Sequence, residues 1–294
     1  MQVSIVDAFT RTAGAGNRAG VVLDAVGLDA EAMQRIAAAV GASETAFMLS
    51  GPDGGVRLRY FTPKAEIDFC GHATVATFHL LAERGLLPRE GHARLECAAG
   101  TLDVELEAMG GGASRAWIVT PRHAWETPPV PLSKVLPLVG GSVDMVDETL
   151  PAYRNAQRLV VPFRRREDVW NLAPRAGALA ELLGPHGMRG LYVFTRDVRE
   201  AGSVAHARYF VPGVGVAEDP VTGSAAGPLG VYLASHGVLS LPAEGGTVRA
   251  RIEQGDAIGK PGRIEVEVTG RAGAPERARI GGVAVTVLEG TLRA

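Results

Sequence analysis

Only two of the 294 residues are cysteine, Cys70 and Cys97, too few for the disulfide framework of a small secreted fold. No apolar run reaches the ~18 residues that a membrane-spanning helix requires. The opening MQVSIVDAFTRT reads as a strand, without the charged start and apolar run of a signal peptide. Net charge is scarce too: 30 Lys plus Arg against 32 Asp plus Glu leave −2, so neither nucleic acid nor an anionic membrane is expected as a partner. The longest basic cluster, FRRRED (163–168), is closed at once by acids and reads as a solvated face. Together these absences lead to the expectation of a soluble, cytoplasmic protein.

Cofactor signatures are missing as well. There is no Walker A loop and no GxSxG elbow, and the seven histidines are scattered without zinc-type spacing. The segment GAGNRAG (14–20) is followed by the strand GVVLDA rather than by a helix, so it fails as a dinucleotide fingerprint. It reads instead as a turn whose Asn17 helps line a cleft. No metal and no cofactor are expected.

What the chain has in plenty is glycine (38) and proline (18), spread along its length, which suggests many turns between short strands. Strand patterns alternate with few helices. The stretch 29–41 has helical spacing with Asp29 as cap and Gly41 as stop, TAFML (45–49) and VRLRYFTP (56–63) read as strands around the turn GPDGG, and 71–87 reads as a helix ended by Gly85. RLECAAGTLDVELE (94–107) reads as a hairpin.

The second half repeats this plan. RYFTP (59–63) matches RYFVP (208–212), GLL (85–87) matches GVL (237–239), and RLE (94–96) matches RIE (251–253). Gly71 precedes Gly85 by fourteen residues, as Gly223 precedes Gly237. Matches in one order at one spacing indicate an internal duplication. The expected fold is α+β: two similar lobes, each a largely antiparallel sheet rolled around one mostly apolar helix.

Each half also carries an irregular acidic loop and a glycine that opens a helix of small residues: IDFC-GHAT (67–74) and EDPVT-GSAA (218–226). Small side chains leave the first helical N–H groups uncovered, and these attract an anion. Two such ends facing across a cleft would grip a carboxylate and stabilise a carbanion or enolate beside it.

The individual candidates divide between ordinary and chemical roles. Glu218 and Asp219 could be loop acids favoured by the helix dipole, but Asp219 lies four residues ahead of Gly223, behind Pro220, a poor place for a cap. Glu44 is either a strand-end acid or, entering the apolar run TAFML, a buried carboxyl of raised pKa suited to proton transfer. His72 is either a capping or core histidine, or a neutral imidazole whose pKa is lowered by the helix end. Cys70 could be a thiolate activated by the same end, although its counterpart Thr222 carries no thiol. Cys97 reads as a small buried hydrophobe.

Taken together, GNRAGVVLD, SETAFML, RYFTPKAEIDFCGHATVAT and AEDPVTGSAAGPLGVYL resemble the signature segments of the PhzF family of phenazine biosynthesis-like isomerases, which shares its two-lobed fold with diaminopimelate epimerase. The resemblance implies a first lobe of 1–113 completed by 279–294, a second of 114–278, and an active site in the cleft between them. It implies Glu44 as proton shuttle with His72 and Asp219, and substrate-carboxylate binding by Gly71, Gly223 and Ser224. A homodimer is also implied. Two positions depart from the pattern. Arg18 stands where the family has proline, altering the charge or rim of the cleft. Cys70 stands where the epimerase relatives carry a catalytic thiol, with Asp219 opposite in place of the second.

The expected activity is a cofactor-independent isomerisation that moves a proton on a small carboxylate-bearing metabolite. The rivals are an amino- or hydroxy-acid racemase using Cys70 and Asp219, and a non-catalytic binding protein keeping the same cleft.

Overall fold

The computed structural model describes residues 1–51, 55–120 and 124–293; the middle of the expected GPDGG turn lies outside the described residues. The chain divides into two units, Met1–Val119 with Arg279–Ala294, and Thr120–Ala278. No helix of the described residues is long and apolar enough to cross a membrane.

The first unit contains β1 (Gln2–Ala8), β2 (Asn17–Val22), α1 (Ala30–Val40), β3 (Glu44–Ser50), β4 (Val56–Phe61), β5 (Glu66–Ile67), α2 (Gly71–Glu83), β6 (Gly91–Cys97), β7 (Gly100–Ala108) and β8 (Ser114–Thr120). Of its pairings, β2–β3 and β4–β6 are parallel, whereas β1–β2, β3–β4, β4–β5, β6–β7 and β7–β8 are antiparallel. The boundary expected after residue 113 falls after Val119 because β8 stays paired to β7, with Ile118 opposite Val104.

The second unit contains α3 (Leu132–Val135), β9 (Tyr153–Asn155), β10 (Arg158–Phe163), α4 (Arg166–Trp170), α5 (Ala176–Leu183), β11 (Gly190–Thr195), β12 (Ser203–Val211), β13 (Val216–Asp219), α6 (Gly223–Ser235), β14 (Gly246–Gln254) and β15 (Gly262–Arg271). The chain then runs through β16 (Ala274–Gly282) into β17 (Ala284–Thr291), which pairs antiparallel with β1 in the first unit. The pairing sequence repeats: β10–β11 and β12–β14 are parallel, and β9–β10, β11–β12, β12–β13 and β14–β15 are antiparallel. Strand for strand, β9 to β15 reproduce β1 to β7.

The duplication reaches individual hydrogen bonds. The first central helix stops earlier than the sequence pattern predicts, at Glu83, and the second stops at the equivalent Ser235, because Gly85 and Gly237 turn the chain with φ of 68° and 72°. Leu86 N–H then bonds the Leu81 carbonyl at 2.9 Å, and Val238 N–H bonds that of Leu233 at 2.9 Å. Among the described residues, the two non-glycine residues with positive φ, Phe9 and Ala156, directly follow the equivalent strands β1 and β9.

In each unit one sheet face holds the central helix and the other is covered by a surface helix. Every residue of α2 from His72 to Ala82 is buried. Met33, Ile36 and Ala37 of α1 pack outside, against Val22, Phe47 and Phe61. Asp29 caps α1 by accepting the Ala32 N–H at 2.8 Å, and Gly41 ends it in the left-handed region, both as expected. In the second unit Leu179 and Leu183 of α5 join Leu159, Val161, Leu191, Val193 and Phe210 in the outer core. The small residues of α6 serve close packing: a Cβ at Gly227 would lie 2.4 Å from Thr120 Oγ1, and one at Gly230 2.5 Å from Val266 Cγ1.

Candidate active site

Gly71 answers to a different requirement. A Cβ there would meet only Phe69, at 3.9 Å, so packing does not demand a glycine. Cys70 and Thr222, the residues preceding α2 and α6, make no side-chain capping bond. Among the described residues, no acceptor takes the N–H of Gly71, His72, Gly223 or Ser224. Each unit therefore presents an uncapped helix end with its partial positive charge.

Four side chains meet at the mouth of α2. β3 pairs in parallel with β2, with Glu44 opposite Ala19, so Glu44 starts its strand beside the helix end. Its Oε2 lies 3.1 Å from His72 Nε2. That oxygen is inaccessible and lies outside hydrogen-bond alignment with any partner; the contact is an ion pair rather than an aligned hydrogen bond. Ser43 Oγ approaches the same nitrogen at 3.3 Å and donates to the Arg18 carbonyl at 3.0 Å. On the other side Cys70 Sγ lies 3.4 Å from His72 Nδ1.

The electrostatics correct two expectations. Burial does push the Glu44 carboxyl up, but His72 and then Ser43 outweigh it, and the group titrates below the ordinary 4.5. His72 is not a depressed, neutral imidazole. Burial acts in that direction, yet Cys70 and Glu44 together hold it well above 6.5. Cys70 itself is pushed up by burial against the opposing pull of His72, so its thiolate is disfavoured rather than activated as its position suggested. The imidazolium's carboxylate counterion is Glu44. Donor atoms of Glu44, Cys70 and His72 all lie within 4.8 Å of one another, close enough that the same three groups could share a soft divalent ion.

Cys70→Ala is accordingly expected to lower turnover less than ~10-fold, well short of the 10²–10⁴ typical of an acid–base group. Loss of all activity in that variant would instead identify the thiol as a base.

Asn17 is buried at the start of β2, opposite Ala8. Arg18 is ion-paired within its own unit. Its Nε and Nη2 bond both oxygens of buried Asp7, at 2.8 and 3.1 Å, and Gly14 N–H donates to Asp7 Oδ2 at 2.7 Å.

In the second unit, Thr222 Oγ1 donates to Asp219 Oδ2 at 2.5 Å. Gln254, fully buried, ties this loop: its Nε2 donates to the Asp219 carbonyl at 2.8 Å and to Thr222 Oγ1 at 3.0 Å, and its Oε1 accepts Thr222 N–H at 3.2 Å. Ser224, exposed in the first turn of α6, accepts from Arg158 Nη2 at 2.6 Å. Sequence reasoning missed Ser43, Gln254 and Arg158. Gln254 was within reach, since it is the residue after RIE just as Cys97 follows RLE.

Comparison with known proteins agrees with this architecture. The family described as phenazine biosynthesis-like protein, PhzC-PhzF, matches residues 6–290. An uncharacterized isomerase of Deinococcus radiodurans is 40% identical, over 97% of this chain and 92% of its own. A trans-2,3-dihydro-3-hydroxyanthranilate isomerase of Pseudomonas chlororaphis is 33% identical over 98% of each chain. The crystal structure of a Bacillus anthracis phenazine biosynthesis protein of the PhzF family superposes with a TM-score of 0.90 at 30% identity, covering 100% of this chain and 99% of that one. The chain belongs to the phenazine biosynthesis-like PhzF family and is an isomerase.

Proposed function

We propose that this isomerase moves a proton between carbons of a small carboxylate-bearing metabolite by acid–base chemistry alone. The observation that carries the reading is the Glu44–His72 pair, 3.1 Å apart at the uncapped end of α2. Glu44 rests as a carboxylate, the form that can take a proton from carbon, and returns it elsewhere on the π-system. His72 rests as an imidazolium, able to donate toward the oxygen or carbon where negative charge develops. Asp219 is proposed as the further acid–base group. The N–H groups of Gly71, Gly223 and Ser224 are proposed as ligands of the substrate carboxylate. The scheme calls on no metal or cofactor.

The Pseudomonas relative is named for trans-2,3-dihydro-3-hydroxyanthranilate, which bears a carboxylate beside a diene and suits such a transfer. It heads the compounds to test, followed by small carboxylates and amino acids. Proton NMR in D₂O is expected to show deuterium entering one of them with the wild type. Binding without exchange across the panel would favour a binding protein.

The charge states also set the pH profile. The Glu44 carboxylate is lost as pH falls through its depressed value, below 4.5. The His72 imidazolium is lost as pH rises through its raised value, above 6.5. kcat/KM is therefore expected to be full between these two ordinary values and to fall only outside them. A profile that rises through 6.5 would mean that neutral His72 is the working form.

A further inference from the structure

Most partly buried arginines among the described residues are paired with carboxylates, as in Arg59 with Glu66, Arg208 with Glu218 and Arg263 with Asp256. Arg158 is the contrast. It is half-buried at the start of β10, and no carboxylate among the described residues forms an ion pair with it. Of the five N–H groups that a guanidinium carries, one donates to Ser224 Oγ at 2.6 Å. The Nε–H is inaccessible and has no partner. The guanidinium lies over the Tyr209 ring, 5.4 Å from its centre, so it is held in place without a carboxylate in ion-pair contact among the described residues.

Strand register explains the placement. Tyr192 of β11 pairs with Val160 of β10 and with Tyr209 of β12, and Tyr209 pairs with Asp219 of β13. Arg158 stands two residues before Val160, and side chains two apart share a sheet face. Arg158, Tyr192, Tyr209 and Asp219 thus lie on one face, opposite to the face of Leu159, Leu191 and Phe210 that packs into the outer core. Tyr192 is only 1% exposed, yet its hydroxyl has no hydrogen-bond partner. A buried phenol without a partner and an arginine with no carboxylate in ion-pair contact, beside the open first turn of α6, together offer donors to an anionic acceptor.

We propose that Arg158 is a substrate-specificity residue: with Ser224 and the first turn of α6 it binds an anionic group of the substrate, a carboxylate. This rests on the reading of the chain as a carboxylate isomerase and deepens it, because helix-end N–H groups alone accept a neutral carbonyl almost as readily. A guanidinium with no carboxylate in ion-pair contact imposes a negative charge on the ligand and offers a planar, two-oxygen match.

The test is binding, measured by titration calorimetry, of anthranilate and its neutral isostere anthranilamide, with benzoate and acetate as further carboxylates. The proteins are wild type, Arg158→Gln and Arg158→Lys, each with its melting temperature. Anthranilate is expected to bind Arg158→Gln about 10- to 100-fold more weakly than wild type, the range for a lost charged hydrogen bond. Arg158→Lys should fall between, and the amide should bind weakly with no dependence on residue 158. Undiminished anthranilate binding by Arg158→Gln would overturn the assignment. So would equal affinity of wild type for acid and amide, or no binding of any of the carboxylates. Deuterium exchange is read separately: Arg158-dependent binding without exchange overturns the proton-transfer reading and leaves the anion subsite standing.

Discussion

Glu44→Gln lowers turnover by ~10²–10⁴, the range for loss of a positioned acid–base group, with the chain still folded and still able to bind its carboxylate ligand. The amide keeps the size and shape of the carboxylate and removes its capacity to take a proton. The substitution also removes the counterion of His72, which lies 3.1 Å away. Glu44 is among the groups that hold the imidazolium above 6.5, while burial opposes it. Residual activity in the variant should therefore lose its imidazolium at lower pH than in wild type, and the alkaline limb of its profile should move toward neutrality. That second readout separates proton transfer from a merely structural role, since a packing defect would not move the titration of His72. Deuterium incorporation at the wild-type rate would remove Glu44 from the reaction.

The two-lobed plan was legible because a duplication writes itself twice. RYFTP with RYFVP and the two glycine spacings marked equivalent elements, and the fold carries that equivalence down to the Leu86–Leu81 and Val238–Leu233 hydrogen bonds. The glycine-opened helices were visible too, because small residues ahead of an apolar run leave the first helical N–H groups bare in the sequence as they do in the fold. The charge states were not. A glutamate entering an apolar strand reads as a raised pKa, and a histidine at a helix start reads as a lowered one. Each reading considers one group in isolation, and the two shifts reverse once β3 and α2 place the groups side by side. Arg158 was hidden for a related reason. Its unusual feature is the absence of a carboxylate in ion-pair contact among the described residues, and a sequence cannot show which arginine lacks one.

Glu218 and Asp219 raise the same difficulty, and their separation yields the second large effect. Adjacent residues of a strand point to opposite faces, so the paired acids of β13 cannot serve one site. Asp219 faces Tyr209 and Thr222. Glu218 faces the other way and binds Arg208 through both oxygens, Nε to Oε1 at 2.9 Å and Nη2 to Oε2 at 2.7 Å. The pair is nearly dry, with the side chains 6% and 9% exposed. Arg208 Nη1 also donates to the carbonyls of Val169, Trp170 and Leu172 at 3.0, 2.9 and 2.8 Å, so this one guanidinium ties the end of α4 to β12 and β13. Glu218→Gln leaves that cation buried without a counterion and is expected to cost about 3–5 kcal/mol of stability, measured by denaturant unfolding. Replacing both partners by apolar residues of similar volume should cost less than the single change, because no unpaired charge then remains. Below the onset of unfolding, Glu218→Gln should keep its turnover while Asp219→Asn does not. A loss of less than ~1 kcal/mol would be the size expected of an exposed surface pair, and would mean that solvent reaches Arg208 and that the ion pair does not anchor the strand carrying Asp219.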